Sequence, residues 1–166
     1  MLLQPDSIAI NLLINKNKEK MGRVFFNTNV NIQNITADHT VLNSDSGKTF
    51  IVLPAATTEI TLPTPAVAGE GWNCTIILQS DSGFGGDQLM DQKVNINLGA
   101  DTDNVGLILA VDGDAGDQAV DGDDYIACTA AASPGDRFEF LSDGTRWFIH
   151  GLVADATETP FAGAAG

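Results

Sequence analysis

Residues Phe138-Glu139-Phe140-Leu141-Ser142-Asp143-Gly144-Thr145-Arg146-Trp147-Phe148-Ile149-His150-Gly151 decide the fold class. Two alternating stretches flank an Asp-Gly pair, the dipeptide that most readily supplies the positive φ angles of a tight hairpin turn. Successive side chains of a strand point to opposite faces. Trp147 and Phe148 must therefore part, one entering the core while the other meets a neighbouring layer or subunit. The stretch predicts a half-buried β-hairpin.

The same texture recurs along the rest of the chain. The runs 24–26, 30–35, 40–42, 49–53, 59–62, 73–78, 94–98, 106–111, 125–129, 137–141 and 146–153 are rich in Val, Ile, Thr and aromatics, which suit a pleated surface. Breakers separate them: Pro54, Pro63 and Pro65, the glycines from Gly83 to Gly86, and Ser133-Pro134-Gly135-Asp136. No convincing amphipathic helix interrupts the pattern. The chain reads as all-β, an antiparallel β-sandwich or barrel of jelly-roll type, with its body at 24–153. Residues 1–23 form an extended N-terminal arm, and 154–166, rich in Ala, Gly and Thr around a lone Phe161, form a flexible tail. Ser44-Asp45-Ser46-Gly47 returns as Ser80-Asp81-Ser82-Gly83, but the flanking strands differ. Recurrent turn chemistry explains it better than duplication.

Length and charge narrow the function. At 166 residues the chain can bury a core without disulfides. Its net charge of −14 repels DNA and anionic lipid, so neither nucleic acid nor membrane is an expected partner. The charge is uneven: residues 1–23 carry Lys16, Lys18, Lys20 and Arg23 against Asp6 and Glu19, while the rest carries 4 basic and 20 acidic groups. Such an arm either docks on an acidic neighbour or solubilises a loose terminus. Lys-Glu-Lys-Met at 18–21 also allows Met21 as an alternative start, which intact mass would reveal. Pro5, Asp6 and Asn11 interrupt any secretory leader, no run is long enough to cross a membrane, and a cytoplasmic origin is expected. Cys74 and Cys128 lie in apolar runs and read as small buried hydrophobes, although a bridge between them stays open.

The chemistry-bearing motifs are weak. Gly47-Lys48-Thr49 looks like the end of a phosphate-binding loop, but Leu42 occupies the required glycine position and a strand follows instead of a helix. The segment 112–124 holds six carboxylates, and Asp112, Asp114, Asp117, Asp121 and Asp123 are the residues that would surround a calcium ion. Their spacing fits no calcium loop: in an EF-hand register Asp117 falls on the glycine position and Asp123 on the final glutamate position. A solvated acidic loop is the expectation, with no metal and no cofactor. His150 reads as a cross-strand position, His39 has no evident third partner, no Gly-x-Ser-x-Gly elbow occurs, zinc spacing is missing, and catalytic carboxylate pairs cannot be read from sequence. No enzyme is expected. Trp72 and Trp147 read as core residues before exposed sugar-stacking platforms.

Three stretches carry a resemblance: Asp45-Ser46-Gly47-Lys48-Thr49-Phe50; then Thr58-Glu59-Ile60-Thr61-Leu62-Pro63 with Gly69 and Gly71; and Leu141-Ser142-Asp143-Gly144-Thr145-Arg146-Trp147. Their order resembles head decoration (cement) proteins of tailed bacteriophages and the β-rich domains of tail fibres, over roughly residues 40–152. The resemblance implies an all-β virion protein on the capsid exterior, a homotrimer that bridges neighbouring major capsid protein subunits, assembled in the host cytoplasm. Linked weak contacts would give such a clamp its affinity. A flexible arm that orders on its partner suits the role. Its apolar anchors would be Leu2, Leu3, Ile8, Ile10, Leu12 and Leu13, and its charge contacts Lys16, Lys18, Lys20 and Arg23. The alternative is a receptor- or carbohydrate-binding tail-fibre module, with Trp72 and Trp147 exposed.

Overall fold

The computed structural model describes residues 31–79, 92–99, 104–111, 113, 116–119 and 123–163. Both sheets of the fold lie in the unit Asn31–Gly166. The expected strand at 24–26 lies outside the described residues. Strands β1 (Ile32–Ile35), β3 (Lys48–Val52), β5 (Glu70–Leu78), β7 (Val105–Ala110), β8 (Asp117–Gln118), β10 (Arg137–Asp143) and β11 (Trp147–Val153) form one sheet, in the order β1-β3-β5-β10-β11-β7-β8. Strands β2 (His39–Thr40), β4 (Thr58–Thr61), β6 (Val94–Asn97), β9 (Tyr125–Cys128) and β12 (Phe161–Ala162) form the other, in the order β12-β9-β6-β4-β2. The all-β sandwich is as expected, and most strands fall within a residue or two of the predicted runs.

Its strand directions depart from the antiparallel expectation. The pairs β1–β3, β3–β5 and β7–β11 in the first sheet, and β2–β4 and β4–β6 in the second, are parallel. From β1 to β6 the chain alternates between the sheets, so it winds as a coil. Parallel neighbours need a long crossover. Here a strand of the opposite sheet supplies each crossover, in place of a helix. The hairpin β10–β11 then adds antiparallel to β5, while β9 and β12 close the second sheet antiparallel.

The core lies between the sheets. Phe50, Ile76, Phe138, Phe140, Trp147, Ile149 and Ile108 of the first sheet are buried, as are Ile60, Ile96 and Ile126 of the second. Trp72 and Trp147 meet edge to face with ring centroids 5.3 Å apart, and Phe140 lies 6.4 Å from Trp147. Each indole N–H is satisfied by a backbone carbonyl, Trp72 at Asn43 (2.9 Å) and Trp147 at Leu98 (2.8 Å). A buried indole needs that partner. A single helical turn, α1 (Pro65–Ala68), begins with Pro65, whose missing N–H is no loss at a first helical position.

Two local features correct the sequence reading. The β10–β11 connection is longer than a two-residue Asp-Gly turn. Ser142 pairs with Trp147, and the Asp143 carboxylate accepts from the amides of Thr145 and Arg146, both at 2.8 Å. Those two amides hold the Asp143 carboxyl below its ordinary value. The second correction is the tail. Residues 154–163 fold back onto the body, because Phe161 finds a berth: its ring lies over Gly106, where a β-carbon would stand 2.6 Å from Phe161 Cζ. The Phe161 amide donates to Asp117 Oδ2 (2.8 Å). The Ala127, Thr129 and Asp124 amides donate to the Pro160, Glu158 and Ala162 carbonyls. Thr129 Oγ1 also donates to the Glu158 carboxylate.

Candidate functional site

Strand alternation gives the seven-stranded sheet a second face, turned away from the core. Register lines its side chains up in three rows. The first runs Asn73, Leu141, Phe148, Val105. The middle row runs Ile32, Thr49, Thr75, Glu139, His150, Leu107. The third runs Asn34, Ile51, Ile77, Arg137, Leu152, Leu109. Ile32, Val105, Leu109, Leu141, Phe148 and Leu152 are all 41–66% exposed on this face, and Val111, following β7, continues it. Large apolar side chains gathered on one open surface mark an interaction site more often than isolated ones do.

The middle of the face is recessed. An open groove of about 550 Å³ is lined by Asn73, Thr75, Glu139, Leu141, Phe148 and His150, with the backbones of β5 and β10 as its floor. A second depression of about 140 Å³, lined by Leu109, Arg137, Glu139, His150 and Leu152, adjoins it. His150 stands directly across from Glu139 in the β10–β11 ladder. The carboxylate is already engaged, since Glu139 Oε1 accepts from Arg137 Nη2 at 2.6 Å. Both partners are about half exposed, so the pair contributes ~0–1 kcal/mol. The groove thus offers an aromatic edge, an imidazole, an amide, a hydroxyl and a neutralised ion pair on a rigid floor.

The second histidine serves a different cluster. Asp45 Oδ1 meets Lys48 Nζ at 2.7 Å, Lys48 donates to Gln33 (3.3 Å), and Gln33 Nε2 lies 3.3 Å from His39 Nε2. The His39 ring packs 5.8 Å from Phe50. Burial tends to raise the Asp45 carboxyl, but Lys48 and the Leu42 amide outweigh it and hold the group below its ordinary value. Lys48 opens a strand here, so the phosphate-loop likeness at Gly47-Lys48-Thr49 has no helix to serve it.

Of the calcium candidates, Asp117 is used structurally: Oδ2 accepts from the Phe161 amide and Oδ1 from Gln118 (3.0 Å). Asp123 lies shortly before β9, its carbonyl accepting from Asn104. Asp112, Asp114 and Asp121 lie outside the described residues, and among those described no three acid, histidine or cysteine side chains gather as a metal site. The arm residues Leu2, Leu3, Ile8, Ile10, Leu12, Leu13, Lys16, Lys18, Lys20 and Arg23 also lie outside them. Cys74 and Cys128 are buried, unbridged, and on different sheets. The exposed tryptophans that a sugar-stacking module would need are not found, since Trp72 and Trp147 are 3% and 0% exposed. Phe148 is the aromatic that faces outward instead, as the alternation of Trp147 and Phe148 required. What sequence reasoning missed is the face as a whole, because only the register assembles it. Neither the protein-family models nor the curated proteins include a match to this chain.

Proposed function

We propose that this chain is a structural virion protein that decorates and stabilises a phage capsid by bridging neighbouring major capsid subunits. The feature that supports it is the joining of a rigid, strongly acidic all-β body to an arm at 1–23 with apolar anchors and four cations. A rigid sandwich of this kind binds by surface complementarity, while its acidic remainder keeps particles dispersed. The arm at 1–23, with its apolar anchors and four cations, supplies a second contact, so each subunit holds on at two places. The role is structural, and no turnover is assigned to His39 or His150. Deleting residues 1–20 tests the reading. Incorporation into capsids should be lost while the urea midpoint of the body stays unchanged; undiminished incorporation contradicts the clamp.

Phe148 and the groove beside it favour a second reading, a glycan-binding tail-fibre module. A glycan array with the intact chain and with Phe148→Ala tests it, and binding lost in the variant would move the assignment to that module.

A further inference from the structure

We propose that the outer face of the seven-stranded sheet is closed by the same face of a second copy of this chain. This pairing goes beyond the capsid reading and holds independently of it. Charge selects the occupant. Copies of a chain with a net charge of −14 repel one another over most of their surface. The three rows of this face carry a single carboxylate, Glu139, and Arg137 neutralises it at 2.6 Å. Over these rows two copies can meet without opposing like charges. The next outward carboxylates, Asp143 and its register partner Glu70, lie beyond them at the ends of β10 and β5, where Arg146 stands 3.7 Å from Asp143.

Size agrees. The 16 residues of the three rows, spaced ~4.8 Å across the strands and ~6.8 Å (two residues) along them, give a footprint of roughly 500 Å² per copy. The pair buries about 1,000 Å² before side-chain relief is added, which is where specific interfaces begin. The edges are poor alternatives: β8, β2 and β12 have two residues each and β1 has four, so few unpaired backbone groups are offered. Stacked sheets pack ~10 Å apart with interdigitating side chains, the spacing that Leu109, Leu141, Phe148 and Leu152 from both copies would fill. A face that packs on itself is two-fold and closes at two subunits, unlike the trimer implied by resemblance.

Sedimentation velocity on the full chain tests this. The wild type should run as a pair of about 35 kDa, twice the 17.4 kDa of one copy. Leu109→Lys/Leu152→Lys should be monomeric, its dissociation constant raised at least ~100-fold, whereas Leu42→Lys, exposed but outside the strands of this sheet, should pair normally. Phe148→Ser, which adds no charge, provides a second variant. Blue-shifted emission from the buried Trp72 and Trp147 identifies variants that have kept the fold. A wild-type monomer, a three-fold species of about 52 kDa, or a pair that survives both folded variants overturns the proposal. So does a monomer whose capsid binding is lost with the same substitutions, since the face then belongs to a capsid subunit. Failure of the capsid reading shows instead as a pair that ignores capsids.

Discussion

Replacing Phe161 by alanine removes the side chain that holds residues 154–163 against the body. Phe161 is 8% exposed, so nearly all of its ring is lost from the core. Phe→Ala changes in cores cost ~3–5 kcal/mol. The two-residue strand β12 lies at a sheet edge and can partly collapse, which puts the expected loss near the lower end, ~3 kcal/mol. For a chain of this size that corresponds to a fall of roughly 6–12 °C in Tm. Gly106→Ala attacks the same contact from the other side. Its β-carbon would stand 2.6 Å from Phe161 Cζ and 3.1 Å from Ile149 Cβ, an overpacking worth ~1–3 kcal/mol. In the double variant the ring is gone and the new methyl enters the space it leaves. The double should therefore be ~1–2 kcal/mol more stable than the sum of the singles predicts. Urea unfolding followed by tryptophan fluorescence measures all four corners of the cycle. A Phe161→Ala loss below ~1 kcal/mol, or additivity within ~0.5 kcal/mol, would refute the docked tail.

Gly116→Ala would drive a β-carbon into the Ile108 carbonyl oxygen, and backbone cannot yield cheaply; we expect a loss of ~2–3 kcal/mol in the same urea assay. Asp136 and Asp45 should give stability opposite pH dependences. Burial raises the Asp136 carboxyl above its ordinary 3.8 against the pull of the Ala154 and Ser133 amides, and Asp155 adds to the rise. The folded state then keeps the proton longer, so this contribution falls as pH rises from about 4 through the folded-state pKa, and Asp136→Asn should flatten that limb of urea midpoint against pH. Asp45 is lowered, so its contribution is full above 3.8 and is lost as pH falls through the folded-state pKa; Asp45→Asn should remove that acid-side loss. Burial pushes the Cys74 thiol up to about 12 and Cys128 higher still, so neither should react with a thiol reagent in the native state, and both should in urea.

Much of the fold is legible directly in the residues. The alternation from Phe138 to Gly151, together with breakers such as Pro54 and Pro63, locates the strands because side-chain period and turn chemistry are local properties. Direction is not local. Burial alternates with period two in parallel and antiparallel strands alike, so nothing in Lys48–Val52 reveals that it runs parallel to β5. The coils differ in length, Ile32 pairing with Thr49 but Lys48 with Cys74, so the winding leaves no sequence repeat. The docked tail leaves no local signal either, because the partner of Phe161 is an absence, the missing side chain of Gly106. At the candidate site, Phe148 is legible as one half of a diverging pair. Leu152 shares its strand and follows from the same alternation, but Leu141 and Leu109 come from other strands, and only pairing brings them onto its face.

The capsid reading is tested by sedimentation velocity of the purified chain, with and without empty capsids of the phage to which that reading assigns it. The chain should leave its own slow boundary and co-sediment with the capsids, saturating at a fixed ratio to the major capsid protein. A chain that stays in its slow boundary at every capsid concentration would contradict it.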